Sequence, residues 1–278
     1  MAVYLITGGA RSGKSTYAQK LDGIILSSDR IREQFPDWSH EKVFGHMKKM
    51  TRKCLEDGYD VIYDATNVSR KKRRDIIEAV KKIGVLTKAV VFATPIDVCI
   101  ERNATRERTI PEYAIRRMAL HFEFPYPGEF DTIEIVQDRI SDELYNIDWA
   151  ISQDNPHHTL TLKEHMNKAS ELISEDTLKE AASVHDVGKL YTKRFEDSKG
   201  NPTEIAHYYN HEKMGAYIWM TSNKMTEDNI YITQLINYHM RPFIWEKSEK
   251  SRKLDIKEFG QAFCNDLTAL HKADVMAK

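Results

Sequence analysis

The chain has 278 residues, 41% of them hydrophobic, and a formal net charge of −1 at pH 7. This length suits two ordinary hydrophobic cores, and the near-zero charge excludes binding to polyanions through the overall field of the protein. No apolar run approaches the roughly 18 residues that span a membrane, and the first residues read as a strand instead of a signal peptide. Three widely spaced cysteines do not make a disulfide framework. We therefore expect a cytoplasmic protein with no membrane partner.

Short strands alternate with helical segments in the first half of the chain. Apolar, β-branched runs predict buried parallel strands at Val3–Thr7, Val61–Tyr63 and Lys88–Ala93. Apolar residues at helical spacing predict helices at Glu41–Glu56 and Arg70–Ile83. This alternation predicts an α/β domain with a parallel sheet covered by helices on both faces.

A glycine-rich loop follows the first predicted strand. The segment Gly8–Ser15 matches the phosphate-binding P-loop pattern, and a helix predicted at Thr16–Leu21 follows it. Glycines let the backbone surround a phosphate at a helix N-terminus, Lys14 would reach the β- and γ-phosphates, and the Ser15 hydroxyl would bind Mg²⁺. The residues predicted to bind ATP and Mg²⁺ are Gly8, Gly9, Gly13, Lys14, Ser15 and Thr16.

A carboxylate and an arginine follow the short β run Ile24–Leu26. Asp29 is expected at the carboxyl edge of the sheet, where α/β proteins form their sites, and could accept a hydroxyl proton. Arg32 lies three residues later on the same helical face and could hold an acceptor phosphate. The alternative is a helix-capping Asp29 beside a surface Arg32.

Two more segments suit phosphoryl transfer. Asp64 directly follows a predicted strand, where a carboxylate that organises Mg²⁺ would lie. Arg102 and Arg106 are four residues apart on a predicted helix that Pro111 ends, and arginines on a flap can stabilise the charge of a transferring phosphoryl group. Surface ion pairing is the alternative for these arginines.

A run of basic residues, Arg70–Arg74, lies on a predicted helix. Such runs usually form a solvated face, and we favour that interpretation. Contact with a nucleic-acid backbone is the alternative.

These segments occur in the order seen in phage-type polynucleotide 5′-kinases, which the chain resembles over about residues 1–135. The resemblance implies a P-loop kinase that uses ATP and Mg²⁺. It also implies Lys14 and Ser15 as ATP ligands, Asp29 as general base, Arg32 on the acceptor phosphate, Arg106 as the lid arginine and Asp64 as an essential second acid. A broader group of small P-loop kinases shares much of this frame, which therefore predicts a kinase without identifying its acceptor.

A change of pattern near residue 155 predicts a domain boundary. The segment Ser152–Thr161 is polar and broken by Pro156, which favours a linker. From Leu162 onward helical patterns dominate. We therefore predict an α/β domain over residues 1–152 and an all-α domain over residues 153–278.

The second half contains residue types that bind metals. His185 and Asp186 are adjacent, His165 precedes them on another predicted helix, and Asp274 follows near the end of the chain. Imidazole and carboxylate together bind divalent transition metals such as Mn²⁺, Fe²⁺, Co²⁺, Ni²⁺ or Zn²⁺. Satisfied core histidines are the alternative. His207 is expected to share a helical face with the histidine four residues later, and is interpreted as a surface residue or one behind the ligands.

This arrangement resembles the HD superfamily of metal-dependent phosphohydrolases, an all-α fold. The resemblance implies His165, His185, Asp186 and Asp274 as core ligands, with His211 and His239 as ligands of a second metal. The segments at 211–216 and 239–243 are similar to HD domains attached to tRNA nucleotidyltransferases, which cleave 2′,3′-cyclic phosphates and remove phosphates from RNA ends. Hydrolysis would use a water made acidic by the metal, and either Lys189 or a residue that contacts one of the ligands would orient the phosphate.

The two halves together predict an RNA end-healing enzyme. One domain would phosphorylate the 5′-hydroxyl of an RNA or DNA end, and the other would remove a 2′,3′-cyclic phosphate or a 3′-phosphate. A separate RNA ligase is implied, because the chain lacks a Lys-x-Asp-Gly nucleotidyl-transfer motif. Two alternatives stay open. One is a small-molecule kinase fused to an HD nucleotidase of nucleotide metabolism, and the other is a nucleotide-sensing regulatory protein.

Overall fold

The computed structural model describes residues 1–156 and 158–278. Position 157 lies in the predicted linker and outside the described residues. The chain forms two compact units, one of residues 1–118 and 130–138, the other of residues 119–129 and 139–278. Within the described ranges, no helix combines the length and the apolar character that crossing a membrane requires.

The first unit contains a five-stranded parallel sheet in the order β2-β3-β1-β4-β5. The strands are β1 (Ala2–Thr7), β2 (Ile24–Ser27), β3 (Val61–Asp64), β4 (Leu86–Phe92) and β5 (Thr132–Val136). The parallel sheet confirms the α/β prediction for this unit. The edge strand β5 was not predicted, because it is short and mostly half-buried and lacks the continuous apolar run of a central strand.

Helices of the first unit connect the strands. They are α1 (Lys14–Ala18), α2 (Ser28–Gln34), α3 (His40–Glu56), α4 (Arg70–Lys81), α5 (Ile96–Ala104) and α6 (Glu112–Leu120). The last two residues of α6 belong to the second unit. Helix α1 is shorter than the predicted helix at Thr16–Leu21 and begins earlier, directly after the glycine-rich loop. The sheet core includes Ile6, Ile62, Val90 and Phe92, which pack with Ala18 of α1.

The basic run on α4 is not a uniformly solvated face. Arg73 has 0% exposure, while Lys71 and Arg74 are exposed. The buried guanidinium donates to the carbonyl of Asn67 at 3.3 Å. Arg73 lies on the same side of α4 as the buried Ile76, three residues later. The prediction that the run faces solvent was therefore wrong for Arg73.

Among the described residues of the second unit, the regular elements are helices and one β-hairpin. Its helices are α7 (Glu143–Asn146), α8 (Leu162–Glu171), α9 (Asp176–Val184), α10 (Lys189–Thr192), α11 (His211–Ser222), α12 (Glu227–Tyr238), α13 (Arg241–Trp245), α14 (Glu249–Phe259) and α15 (Gln261–Met276). Strands β6 (Arg194–Glu196) and β7 (Pro202–His207) pair antiparallel. The helical prediction fits most of this unit, and the hairpin is a correction to the expected all-α fold.

Residues 119–129 pack in the second unit, although they precede β5 in sequence. Phe122 and Phe124 are fully buried. The backbone N–H of Phe124 donates to Oδ1 of Asn237 at 3.1 Å, and the Tyr238 hydroxyl donates to the carbonyl of Phe124 at 2.9 Å. Residues 119–129 and 139–152 thus lie in the helical unit, whereas the sequence placed the boundary between residues 152 and 153.

Candidate functional site

The carboxyl ends of three neighbouring strands meet at one edge of the parallel sheet. Strand β1 leads into the glycine-rich loop, β2 leads into α2, and β3 ends at Asp64. The register pairs Asp64 with Ile6 of β1 and with Ser27 of β2. The P-loop, Asp64 and the first turn of α2, which contains Asp29, therefore lie at the same edge, where α/β folds form their sites.

Tight backbone geometry holds the glycine-rich loop. The N–H of Gly8 donates to the carbonyl of Thr66 at 3.0 Å, and a Cβ at Gly8 would lie 2.9 Å from Cβ of Phe92. Gly13 caps α1 in the left-handed region with φ of 101°. These positions require glycine because a side chain would collide in the first case and strain the backbone in the second. The sequence pattern identified both positions without a structure.

Lys14 is buried at the beginning of α1. Its Nζ donates to the carbonyl of Gly9 and lies 3.4 Å from Oγ of Ser12. Burial lowers the pKa of Lys14 to about 8, and the carboxylates of Asp64 and Asp29 act in the opposite direction. Phosphate oxygens would offset this burial and favour the charged ammonium. The next two residues of the predicted ATP site, Ser15 and Thr16, are exposed on the first turn of α1.

Asp29 and Arg32 lie next to each other on α2. Asp29 is exposed in the first turn, and its Oδ1 is 3.4 Å from Nη1 of Arg32, which also donates to the carbonyl of Ser28 at 3.2 Å. The residue at the N-cap position of α2 is Ser27, so Asp29 is not the capping residue. An exposed ion pair of this kind contributes little to stability. Both charged groups are therefore accessible from solvent at this edge of the sheet.

The predicted helical face shared by Arg102 and Arg106 does not form. Helix α5 ends at Ala104, and Arg106 lies in the exposed loop that follows, before Pro111. Arg102 instead pairs with Asp138, and its Nη1 lies 3.4 Å from the carbonyl of Ser12 in the P-loop. The prediction was wrong because Thr105 already caps the helix, six residues before the proline.

Asn103 and Arg11 organise the loop that carries Arg106, and neither role was predicted from the sequence. Nδ2 of Asn103 donates to the carbonyl of Ile110 at 2.8 Å, and Oδ1 accepts from the N–H of Ile110 at 3.0 Å. Nε of Arg11 donates to the same Oδ1 at 3.1 Å, and its guanidinium donates to the carbonyl of Arg108. Both ends of the loop are thereby tied to the P-loop. A single Asn in a charged segment gives no pattern that reveals this role.

A buried cluster of histidines and aspartates lies in the second unit. His165 is on α8, His185 and Asp186 form the turn after α9, His211 begins α11, His239 follows α12, and Asp274 is on α15. The ligand atoms fall into two groups that share one aspartate: His165, His185, Asp186 and Asp274, and Asp186, His211 and His239. The structure therefore brings together every metal-binding residue that was predicted in this half of the chain.

The two carboxylate oxygens of Asp186 face different histidine pairs. Oδ2 is 3.4 Å from Nε2 of both His165 and His185. Oδ1 is 3.2 Å from Nε2 of His211 and 3.6 Å from Nε2 of His239. Asp186 therefore offers one oxygen to each of the two groups of candidate ligands. Oδ1 of Asp274 completes the first group, at 3.1 Å from His165 Nε2 and 3.7 Å from His185 Nε2.

Each histidine of the cluster presents Nε2 inward, because its Nδ1 faces a backbone carbonyl. The pairs are His165 with Ala277 at 3.3 Å, His185 with Ala182 at 2.8 Å, His211 with Tyr208 at 2.7 Å and His239 with Ile236 at 2.8 Å. A carbonyl only accepts, so the proton is on Nδ1 and the lone pair of the neutral ring is on Nε2. Metal-binding histidines are commonly fixed in this way.

The inward nitrogens fit a cation. Nε2 of His165 and of His185 is buried and makes no hydrogen bond of acceptable geometry. Nε2 of His211 is 3.2 Å from Nε2 of His239, so two lone pairs face each other unless a proton or a cation lies between them. Buried lone pairs that face one another or a carboxylate oxygen are costly unless a proton or a cation lies between them, and a divalent metal would satisfy them. The donor set therefore fits one or two transition-metal ions.

Acidic neighbours control the protonation of the first histidine pair. Burial acts to lower the pKa of His185, but Asp186 and Asp274 outweigh it and raise that pKa to about 10. Burial likewise acts on His165, and the same two carboxylates raise its pKa. Burial would raise the pKa of Asp186, but Lys189 and His185 lower it well below its usual value.

Lys189 lies beside the cluster and has partners that the sequence did not reveal. Its Nζ is 2.7 Å from Oδ2 of Asp186 and donates to Oε1 of Gln153 at 2.9 Å. The Nζ also lies 3.3 Å from Nε2 of His158. Burial lowers the pKa of His158 to about 4, and the Lys189 charge acts in the same direction. Gln153 and His158 lie in the segment expected to be a linker, which carries no catalytic pattern.

His207 and His211 do not share a helical face. His207 ends strand β7, and His211 is the first residue of α11. Their spacing of four matched a helix, but Asn210 between them adopts a left-handed conformation with φ of 62° and separates the two elements. The ring of His207 stacks instead on Tyr209, with centroids 5.5 Å apart.

Gly188 lets the turn that carries Asp186 approach α11. A Cβ at Gly188 would lie 1.9 Å from the carbonyl oxygen of His211 and 2.5 Å from the backbone nitrogen of Gly215. Both obstacles are backbone atoms, which cannot move aside as a flexible side chain can. This approach places His211 beside Asp186, so the second ligand group depends on the glycine.

Comparisons with known proteins give a family match and several similar proteins. A family model described as an AAA domain matches residues 3–125. The L-seryl-tRNA(Sec) kinase of Methanococcus maripaludis is 29% identical over 191 residues, which is 63% of this chain and 74% of that protein.

Two solved structures also resemble the chain. The tunicamycin resistance protein of Deinococcus radiodurans has a TM-score of 0.34 at 15% identity, over 48% of this chain and 85% of that chain. The APS kinase CysC of Mycobacterium tuberculosis has a TM-score of 0.36 at 19% identity, over 51% of this chain and 91% of that chain. Together with the parallel sheet and the loop at its carboxyl edge, the family match and the kinase relative identify the N-terminal part of this chain as a P-loop kinase-like α/β domain.

Proposed function

We propose that this protein is an RNA end-healing enzyme with a 5′-hydroxyl kinase and a metal-dependent phosphohydrolase in one chain. The observation that carries the proposal is that a kinase-like P-loop domain and a buried cluster of inward-facing histidine nitrogens occur together. Ribonuclease cleavage commonly leaves a 5′-hydroxyl and a 2′,3′-cyclic phosphate or 3′-phosphate. Each half of this chain carries residues suited to one of those ends.

The kinase half supplies positioning and charge for transfer of the ATP γ-phosphate. Lys14 would hold the β- and γ-phosphates, and the exposed Ser15 hydroxyl and Asp64 would hold Mg²⁺. Asp29 is exposed at the same sheet edge and would accept the proton of the attacking 5′-hydroxyl. Arg32, next to Asp29, would bind the acceptor phosphate, and Arg106 on the loop after α5 would reach the transferring phosphoryl group.

The hydrolase half requires a divalent cation. Bound to the two ligand groups, Mn²⁺, Ni²⁺, Co²⁺, Fe²⁺ or Zn²⁺ would supply Lewis-acid activation of water for attack on phosphorus. Asp186 would hold the two ligand groups together, and the Nδ1 hydrogen bonds would keep the imidazoles oriented. Lys189 lies at the edge of the cluster, where its ammonium could orient a phosphate oxygen.

Kinase activity is tested by incubating the protein with Mg²⁺, γ-labelled ATP and a 5′-hydroxyl RNA oligonucleotide. We expect label on the RNA with the unaltered protein and none with Lys14→Ala. A 2′,3′-cyclic phosphate or 3′-phosphate end on a second RNA tests the hydrolase, which Lys14→Ala should retain and Asp274→Ala should lose. Transfer of label to nucleosides but not to oligonucleotides would refute the end-healing proposal and select the small-molecule alternative.

The similarity to a seryl-tRNA kinase favours a second candidate acceptor, a hydroxyl carried by an amino acid on tRNA. Asp29 and Lys14 would serve that acceptor by the same chemistry. Serylated tRNA should therefore be offered in parallel with the 5′-hydroxyl RNA. Label that is released from the tRNA by mild base, which cleaves the aminoacyl ester, would select this candidate.

A further inference from the structure

A patch of aromatic side chains extends from the acceptor residues of the kinase-like unit. It consists of Phe35, Trp38, His40 and Phe44, on the turn between α2 and α3 and the beginning of α3. We call these four residues the aromatic patch. Phe35 is 39% exposed, and His40 is also exposed. The P-loop chemistry described above uses none of these side chains.

The turn between α2 and α3 fixes two of the rings in a stack. The backbone N–H of Trp38 donates to the carbonyl of Phe35 at 3.1 Å, and Pro36 occupies the position of this turn that it favours. The ring centroids of Phe35 and Trp38 are 4.1 Å apart, and the two ring planes are inclined by 10°. Because Trp38 covers one face of Phe35, the exposed surface of Phe35 comes from its opposite face and its edge. A flat, pre-ordered surface of this kind suits stacking of another planar ring.

Cations accompany the rings. Nζ of Lys42 lies 4.6 Å from the ring centroid of Trp38. On the other half of the patch, Nζ of Lys72 lies 5.8 Å and Cζ of Arg32 lies 5.6 Å from the ring centroid of Phe44. Aromatic faces interleaved with Lys and Arg suit a ligand that presents both bases and phosphates.

The patch is continuous with the proposed acceptor site. Arg32 is 3.4 Å from Asp29 through Nη1 and 3.3 Å from Nδ1 of His40 through Nη2. His40 in turn packs on Phe44, with ring centroids 4.5 Å apart. The guanidinium proposed to bind the acceptor phosphate therefore connects the proposed general base to the patch.

We propose that the aromatic patch binds the bases of a single-stranded nucleic acid whose 5′ end lies at Asp29 and Arg32. Phe35, supported by Trp38, stacks on one base beyond the terminal nucleotide. Lys42 and Lys72 contact the phosphates of the same strand. Asp37 is exposed in the turn and disfavours phosphates there, so the bases face the rings. This inference rests on the proposed 5′-kinase activity and gives it a preference for strands over mononucleotides.

The test compares two acceptors that differ only in length beyond the 5′ nucleotide. One is a nucleoside 3′-monophosphate, and the other is a 5′-hydroxyl oligoribonucleotide of about ten nucleotides. We expect Phe35→Ala to raise KM for the oligonucleotide by about tenfold, within the effect of losing one base stack. KM for the nucleoside 3′-monophosphate and kcat for both acceptors should stay unchanged. Phe35→Tyr keeps an aromatic face and should restore the oligonucleotide KM.

Tyr59→Ala is the matched control. Tyr59 is 56% exposed and precedes β3, at the amino edge of the sheet away from the acceptor residues. Its replacement should change neither KM. An equal rise of KM on both acceptors with Phe35→Ala, or no rise on either, would overturn the proposed stacking surface.

Direct binding separates this inference from the proposed activity. Fluorescence anisotropy of a labelled single strand measures affinity without phosphoryl transfer. If the unaltered protein binds the strand and Phe35→Ala weakens binding, but no acceptor is phosphorylated, the stacking surface stands and the 5′-kinase proposal fails. If the strand is phosphorylated with a KM that Phe35→Ala leaves unchanged, the kinase stands and the stacking surface fails. If no strand binds, the patch is not a nucleic-acid surface.

Discussion

Asp186 is the residue on which both groups of the His/Asp cluster depend. Its two oxygens face separate histidine pairs, and four surrounding Nε2 atoms lie between 3.2 and 3.6 Å from it. The carboxylate is also the ion-pair partner of buried Lys189. Removing it would leave a buried ammonium without its counter-charge and both ligand groups without their shared oxygen donor.

We therefore expect Asp186→Asn to bind no divalent metal tightly and to lose the proposed phosphohydrolase activity. Isothermal titration with Mn²⁺ or Ni²⁺ measures the stoichiometry and affinity. His271→Gln is the matched control, because His271 is also buried but pairs with Glu246 at 2.8 Å and lies outside the cluster. Wild-type metal affinity in Asp186→Asn would contradict the assignment of the cluster as the metal site.

Metal affinity should rise with pH. Asp186 and Asp274 overcome the effect of burial and raise the pKa of His185 to about 10, so at neutral pH the metal-free protein holds a proton that a cation must displace. The affinity should increase by up to about tenfold per pH unit for each displaced proton. Titrations in buffers of different ionisation enthalpy count the released protons. A metal affinity that stays constant between neutral pH and pH 9 would contradict the predicted release of protons.

The same pKa shift predicts how the metal-free protein depends on pH. The folded pKa of His185 is above the unfolded value of about 6.5. Its contribution to stability is therefore complete below that value and is lost as pH rises through about 10. In the presence of chelator, the melting temperature should fall as the pH rises from about 6.5 to about 10. Saturating metal should make this fall smaller.

Asp29 is proposed to act on the attacking hydroxyl and not on the nucleotide. We expect Asp29→Asn to lower kcat for 5′ phosphorylation by about 100- to 10,000-fold, the usual contribution of a general base, with little change in KM for ATP. Steady-state kinetics with both substrates separates these effects. Asp22→Asn is the control, since Asp22 is exposed before β2, at the opposite edge of the sheet. A raised KM for ATP with unchanged kcat would assign Asp29 to nucleotide binding instead.

At the scale of elements, a close backbone contact brings the two ligand groups together. Gly188 lies in the turn between α9 and α10, and its Cα lies close to the backbone of α11. The sequence identified the His-Asp doublet in this turn, and periodicity predicted the flanking helices. Neither feature indicated that the turn must touch α11, because contact between distant segments leaves no periodic pattern.

We expect Gly188→Ala to separate this turn from α11 and to weaken the second ligand group, His211 with His239, more than the first. Overpacking of this kind costs about 1–3 kcal/mol, which corresponds to a fall in melting temperature of several degrees. Calorimetry and metal titration measure the two effects. Gly45→Ala is the control, because Gly45 is exposed on helix α3 and its added Cβ would have open space around it. That change should stabilise slightly.

At the scale of the whole molecule, the chain passes between its compact units three times, at residues 118, 129 and 138. The segment 119–129 supplies Phe122 and Phe124 to the core of the helical unit and then returns to form β5. The helical unit is therefore not a single continuous stretch of sequence. The change of sequence pattern near residue 155 marks the point where helices begin to dominate. The boundary between the two compact units lies elsewhere, because it depends on which segments pack together.

A fragment of residues 153–278 should therefore fold poorly. It lacks Phe122, Phe124 and Leu144, all of which are buried in the complete helical unit. It also leaves Oδ1 of Asn237 without its N–H donor. We expect a broad, low thermal transition by circular dichroism, against a cooperative transition for the same unit in the full chain. A cooperative melt of the fragment at the full-chain temperature would contradict this.

The sequence by itself determined the features that depend on local patterns. The P-loop glycines, the strands β1, β3 and β4, and the metal-binding residue types in the second half all follow from spacing and residue chemistry. Asp29 and Asp64 followed from their position directly after strands, because parallel strands end at a common edge. None of these predictions required knowledge of which distant segments of the chain contact each other.

Only the tertiary structure decided the features that depend on contacts between distant residues. It buried Arg73 of the basic run, ended α5 before Arg106, placed Gln153 against Lys189 and stacked Phe35 on Trp38. It also set the four Nδ1 atoms against carbonyls, which turns the histidines into inward-facing donors. The physical reason is that burial, hydrogen-bond partners and helix ends are fixed by packing, and packing joins residues whose separation in sequence carries no signal.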